Sequence, residues 1–481
     1  MRSLVQQVAT AIDQDTLAEQ LAGEPGVVLL RSRHFASPHA RYSFATARPF
    51  LVFRSTGSLC EIRSRAARSV QARFGNPWNL LDSLMSRYEL LEDADSPFPM
   101  GGCFGYWGYG LKNFVEPRLP RRAINDLELP DCHVGFYDSL VAFDHRLGHA
   151  WIIATGLCED GSRTEQRAAA QLDWWRAAME RGVTPPTDSP AEQQAADPVS
   201  TLSRAEFMDR VRRAQEYIRA GHIYQVNLSH RFTVPSNLSG WQWFRRLSAV
   251  SPAPYSAFID CGDFQIASSS PEQFLRMSGA QVQTRPIKGT RPRSADPTRD
   301  AQLGYELQTS AKETAELVMI TDLLRNDLGK VCEFGSVQVP ELCRLEHFPQ
   351  VHHLVSTVEG RLRPDITHFA AFASCFPGGS ITGAPKIRAM EIIDELEPVS
   401  RGPYTGCHGF LGFNRESHLS ITIRTAICAN GQAHFNVGAG IVADSDPAAE
   451  YEETVAKARG FLAALSLREA DLRAPAVPSR Q

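Results

Sequence analysis

Two glutamate pairs and a lysine have the types and spacing to do chemistry. Glu313 and Glu316, in AKETAELVMITDLLRNDLG, stand three residues apart in a helix-like stretch, so both carboxylates reach one side. Glu450 and Glu453, in AEYEETVAKARG, repeat the arrangement, with Lys457 one turn beyond Glu453. Oxygen donors from two helices suit a hard cation such as magnesium and leave coordination positions for an acidic substrate. The same spacing equally serves solvated helix faces with Lys312 and Lys457 as ion-pair partners. Lys288, in QTRPIKGTRPR, is flanked by Arg285, Arg291 and Arg293. A lysine attacks carbon only as the free amine, outnumbered roughly a thousandfold by the ammonium at neutral pH. Burial or inward-facing neighbouring cations would have to favour the amine. Otherwise Lys288 is a surface residue or a carboxylate-binding charge.

The bulk composition narrows the class. With 481 residues, 43% hydrophobic and 22% charged, the chain has the make-up of a globular protein large enough for two or three domains. A net charge of -4 gives no long-range attraction for nucleic acid or anionic lipid. The ten cysteines include no Cys-x-x-Cys pair, which argues against a zinc site and a disulfide framework. No apolar run approaches a membrane span, and the start lacks a secretory pattern, so a cytoplasmic location is expected.

The elements that must position these residues read as α+β. VTPPTDSPAEQQAADPVS, residues 183–200, is a linker or mobile loop by composition. It separates an N-terminal region, 1–182, from a region at 201–465, and the tail at 466–481 is expected to fray. Ser203 and Glu206 form a capping box ahead of AEFMDRVRRAQEYIRAG, and Gly221 stops that helix. QVNLSHRFTV, YSAFIDC, FQIASSS, HLSITIRTAICA and AHFNVGAGIVA read as strands, and ITHFAAFASC as a helix. Strands that follow one another without intervening helices disfavour a doubly wound sheet. Large antiparallel β-sheets forming a sandwich, with helices outside, are expected.

Taken in order, GHIYQVNLSHR, SSSPEQFL, TRPIKGTRPR, KETAELVMITDLLRNDLG, VHHLVSTVEG, FPGGSITGAPKIRAMEII, RGPYTGCHGFLG, ITIRTA and GAGIVADSDPAAEYEETVAKA are identifying. From about Leu202 to Leu462 the sequence resembles the chorismate-utilising enzymes, the family of anthranilate synthase component I. The resemblance implies the sandwich fold, chorismate as substrate and Mg2+ as cofactor, with Glu316 and Glu450 as metal ligands. Glu313 and Glu453 would bind through water or support those ligands. By this resemblance PIKGT is similar to the motif of the aminodeoxychorismate branch, where the lysine attacks ring carbon C2 and the C4 hydroxyl departs. Ammonia then adds at C4 and expels the lysine. Anthranilate synthases have PIAGT there.

By the same resemblance Glu272, in SSSPEQF, is the general acid, although a glutamate after proline is ordinarily a turn or helix-start residue. Gln225 stands where the water-adding branch carries a basic lysine, which disfavours hydroxylation. Arg424 and Tyr404 match residues holding a substrate carboxylate, and His353 lies near the leaving oxygen, with His352 structural. Gly438 and Gly440 would offer amides to the other carboxylate, or merely relieve crowding. Ser380, Thr382 and Gly383 form a polar loop that Lys386 orders, and Thr290 and Lys457 complete the substrate-binding candidates. Asp322, Arg325, Asn326 and Asp327 are expected to staple helices. Nothing resembles a glutaminase domain, so a separate glutamine amidotransferase subunit would supply ammonia. The N-terminal matches, VVLLRS and PFPMGGCFGYWGYGLKNFVE, are looser. In relatives these regions help form a tryptophan pocket, but Arg31 replaces an acidic residue common there. Gly101 to Gly110 lacks GxGxxG spacing and reads as tight packing. Anthranilate synthesis is the alternative activity, and an inactive glutaminase scaffold the non-enzymatic one.

Overall fold

Alternation along the strands decides the layering. In Ser139–Asp144, Leu140 and Ala142 enter one apolar cluster while Val141 and Phe143 enter another, so both faces of this strand are covered. The computed structural model describes residues 2–9, 12–32, 40–67, 69–93, 95–181, 197–348 and 351–466. Most of the 183–200 linker, and the tail from 467, lie outside the described residues. The linker's last residues, Val199–Ser200, form a short strand against Thr233 and Phe232.

Two twelve-stranded sheets make up the frame, and the strand pairs within them are antiparallel. The first passes from Leu4–Val8 through Ser139–Asp144 and Val28–Arg31 to Tyr255–Asp260, Gln265–Ser270, Gln432–Ile441 and Gln225–Pro235. The second passes from Ile287–Pro292 through Val351–Arg361, Gln281–Arg285 and Gln273–Ser278. It continues to Cys407–Gly412, Gly102–Trp107, Cys132–Tyr137 and Val70–Phe74. Strands from the N-terminal region and from 201–465 therefore share both sheets. The expected α+β sandwich is present. Between the sheets lie Phe44, Leu140, Phe53, Phe104, Phe136 and Leu411. Gly105 belongs to this packing: a Cβ there would lie 2.2 Å from the His133 carbonyl oxygen.

Helices cover the outer faces. Glu165–Glu180, Gly240–Val250 and Pro447–Ala464 bring Trp175, Trp243 and Phe461 to the first sheet, with Phe461 stacked on Phe435 at 4.3 Å between centroids. Arg204–Arg219 starts with both halves of the capping box formed by Ser203 and Glu206. Its Phe207 and Val211 pack with Ile392 and Ile393 of Lys386–Leu396. Ala311–Gly329 lays Ile320, Leu324 and Leu328 on the inter-sheet core and Leu317 against Leu307 and Leu354. Among the described residues, no helix is long and apolar enough to cross a membrane.

Candidate active site

The strand carrying Lys288 lies at one end of the second sheet, with Val351–Arg361 as its sheet neighbour. Its pairing shifts register between Lys288 and Thr290, where Gly289 takes φ +71°. A Cβ at Gly289 would come within 2.6 Å of Leu307 Cδ1 and 3.1 Å of Glu313 Oε2, so both the backbone and the space require glycine. This irregularity brings Lys288 Nζ to 3.7 Å from Glu316 Oε2. On its other side are Gln225 and Gly440: a Cβ at Gly440 would lie 2.5 Å from Gln225 Nε2 and 3.5 Å from Lys288 Nζ. Lys288 thus joins residues from both sheets.

Both glutamate pairs fall on helices, near the starts of Ala311–Gly329 and Pro447–Ala464. Burial raises the pKa of Glu316 above the ordinary value, with Lys288 opposing the rise and Glu313 and Glu453 adding to it. Burial likewise raises Glu450, against the Ser445 hydroxyl, which donates to its Oε1 at 2.6 Å. Its Oε2 is buried without a hydrogen-bond partner. Burial also acts upward on Glu453, but Lys457, at 2.7 Å, and Lys288 hold it below the usual value. Lys457 additionally donates to the Gly438 carbonyl at 2.8 Å. Glu313 lies 3.8 Å from Arg291. Among the described residues, no three His, Cys, Asp or Glu side chains converge as a ready-made metal cluster. The two helices present a partly neutralised acidic wall with one orphaned oxygen.

Glu272 is buried and feels the charge of Lys288. Burial pushes its pKa up to about 7, against a hydrogen bond from Ser380 and the Lys288 charge. A carboxyl group in that range exchanges a proton near neutrality. Ser380 therefore faces the site. Thr382 and Gly383 shape the loop instead: the Thr382 hydroxyl donates to the Gly378 carbonyl at 2.9 Å, and Gly383 packs on the Gln225 backbone. Lys386 secures the loop by donating to the Cys375 and Pro377 carbonyls at 3.0 and 2.9 Å and by pairing with Asp327. Asp327 is the helix staple expected of its cluster, whereas Asp322 and Arg325 pair on the surface.

Arg424 interrupts the chain between two strands with φ +50° and is half-buried. Its Nη1 donates to Ser251 Oγ at 3.3 Å, and no carboxylate among the described residues pairs with it. A half-buried guanidinium without an anion is a ready carboxylate site. Burial lowers the pKa of His353 to about 4, a little offset by its bond to Gly289, and Arg424 lowers it further. The neutral ring donates from Nδ1 to the Gly289 carbonyl at 3.0 Å, with Thr290 Oγ1 at 3.2 Å, leaving Nε2 as an acceptor. His352 instead bonds Asp300 at 3.0 Å. Tyr404 is buried, its ring 5.8 Å from the Arg401 guanidinium. Gly438 and Gly440 sit within the sheet, paired with Ser229 and Asn227. Their lack of a side chain accommodates Asn227, Gln225 and Lys288.

The arginines flanking Lys288 do not turn a cationic face toward it. Arg285 pairs with Glu346, Arg291 with Glu313 and Arg293 with Asp300. Four residues not singled out from the sequence also contribute. Arg401 and Glu397 form a buried pair that binds Asn227 O, Ile381 O and Ser229 beneath the pocket. Asn227 holds a buried Oδ1 without a partner. Its place two residues after Gln225, on the same strand face, was the available signal. Ser445, which orients Glu450, had none. Outside the pocket, Arg31 is buried, ion-paired with Asp15 at 2.6 Å and stacked 4.7 Å over Phe244.

The family described as chorismate binding enzyme matches residues 40–463. Aminodeoxychorismate synthase component 1 of Klebsiella aerogenes is 40% identical over 443 residues, covering 92% of this chain and 94% of that protein. Anthranilate synthase component 1 of Thermus thermophilus is 42% identical over 396 residues, covering 81% and 84%. The crystal structure of anthranilate synthase component I from Streptococcus pneumoniae superposes with a TM-score of 0.75 at 30% identity, covering 89% and 94%. Two differently named synthases match almost equally, so the comparisons identify the family and not the branch. The chain belongs to the family of chorismate-binding enzymes.

Proposed function

We propose that this enzyme aminates chorismate at C4, giving 4-amino-4-deoxychorismate, as an aminodeoxychorismate synthase component I. The observation that carries the reading is the setting of Lys288, whose Nζ lies beside Glu316, Gln225 and Gly440 and within electrostatic reach of the buried Glu272. The deprotonated Lys288 amine bonds to C2, the ring double bonds shift, and the C4 oxygen leaves with a proton from Glu272. Ammonia then bonds to C4, the double bonds shift back, the C2–lysine bond breaks to free the amine, and the new C4 ammonium returns a proton to Glu272. Each addition is matched by one departure, and no oxidant is required.

Arg424 holds a substrate carboxylate, and His353, neutral and open at Nε2, accepts a hydrogen bond near the departing oxygen. Gln225 provides a neutral amide where a base would activate water. The hard oxygen donors Glu316 and Glu450, with the orphaned Glu450 Oε2, fit Mg2+, and Glu313 and Glu453 stand as supports. When bound there, the ion neutralises a substrate carboxylate and polarises the leaving group. Relatives named as component 1 support a second component here, a glutamine amidotransferase that delivers ammonia.

Incubation with chorismate, magnesium and ammonium, followed by chromatography and mass analysis, tests the reading. Aminodeoxychorismate is expected, and Lys288→Ala should lose it while remaining folded. Direct formation of anthranilate as the main product would overturn the assignment.

A further inference from the structure

A cavity lined by helix Glu165–Glu180 and by the chain just before Leu51–Thr56 and just after Leu59–Ser64 shares no residue with the Lys288 site. Its volume is about 630 Å³, within the range of small-molecule sites (about 300–1,000 Å³). Phe50, Ala170 and Trp174 form apolar parts of its wall, and Arg48, Arg65 and Arg167 the cationic parts.

The charges are not equally committed. Asp138 accepts from Arg167 at 2.6 Å, and Glu159 accepts from Ser64 at 2.7 Å. Arg48 reaches Glu24 only at 3.7 Å and lies 4.7 Å over the Trp174 ring. Arg65 has no carboxylate within ion-pair distance among the described residues; its Nη1 donates to the Arg48 carbonyl at 3.2 Å. Arg65 is anchored through its backbone N–H to the Phe50 carbonyl at 3.1 Å. Arg48 also holds φ +61°, a strained backbone for a non-glycine residue, of the kind found at ligand clamps. Asp138, Glu159 and Asp160 also line the cavity, but Asp138 is committed to Arg167, Glu159 to Ser64 and Asp160 to Ser162, so Arg65 keeps no direct carboxylate partner among the described residues and Arg48 only the long contact to Glu24.

We propose that this cavity binds a small organic acid, its carboxylate between Arg48 and Arg65 and its apolar body against Phe50, Ala170 and Trp174. Planar guanidinium groups match a carboxylate by paired hydrogen bonds, and the apolar wall selects for a ring or short hydrocarbon over a bare inorganic anion.

Calorimetric titration of the full chain with benzoate tests the site. Saturable binding is expected in the unaltered protein. It should weaken by ~10-fold or more in Arg65→Glu, through loss of a charge-assisted contact. Ala170→Trp, an exposed helix substitution that fills the cavity, should also weaken it, whereas Arg424→Ala should leave it intact. No saturable binding, or binding indifferent to Arg65→Glu and Ala170→Trp, overturns the proposal. Loss only in Arg424→Ala assigns benzoate to the Lys288 pocket and overturns it as well.

Discussion

Glu272 is buried with its pKa pushed up to about 7, and Glu272→Gln measures the energetic consequence of that burial. The folded-state pKa is about 7 against an ordinary 4.5. Between those values the folded chain keeps a proton that the unfolded chain has lost, so stability falls as pH rises through this window. The stabilising contribution is fully present below about pH 4.5 and is lost as pH passes through about 7. At about 1.4 kcal/mol per pH unit, the loss amounts to about 3 kcal/mol by pH 8. Glutamine keeps the shape and the acceptor for Ser380 but cannot ionise. Urea unfolding of both proteins from pH 4 to pH 8 should therefore give curves that coincide at the acid end. They should diverge until the variant is the more stable by about 3 kcal/mol. Parallel profiles would refute the buried, proton-holding carboxyl and with it the general-acid role proposed for it. The same variant should lack amination activity at every pH, while the unaltered enzyme loses activity as pH rises through about 7.

Four further outcomes follow from the geometry. Arg401→Leu leaves Glu397 buried and unpaired, so chemical denaturation should show a loss of about 3–5 kcal/mol. Arg424→Ala, which breaks no ion pair, should change stability little and raise the KM for chorismate by ~10-fold or more. Gly289→Ala meets both the positive φ and Leu307. It should cost about 1–3 kcal/mol in unfolding experiments and lower kcat by displacing Lys288. Glu450→Gln should remain folded but need a higher magnesium concentration for half-maximal turnover, and chelation should abolish turnover in the unaltered enzyme.

What could be read from sequence was mostly local. The Ser203–Glu206 capping box and the helical placement of both glutamate pairs depend on residues within one turn, and each formed as expected. Strand-like runs that follow one another without intervening helices also pointed to antiparallel sheets, which formed as expected. Side-chain direction was much less legible. Arg285, Arg291 and Arg293 flank Lys288 in sequence, yet acids from other elements draw each into an ion pair. Thr382 has a hydroxyl suited to a ligand, but its 3-10 turn directs that group onto the preceding carbonyls. The Arg401–Glu397 pair escaped notice because its importance lies in the distant strands and loop it joins. Such convergence depends on sheet register, which no short motif encodes.

In the proposed reaction the Lys288 amine forms the bond to the ring. Rapid quenching of the enzyme with chorismate and magnesium but without ammonia, followed by intact-protein and peptide mass spectrometry, tests it directly. A mass gain of one chorismate less one water is expected, localised to Lys288 and absent from Lys288→Ala. An adduct on a different residue, or full amination by Lys288→Ala, would contradict it.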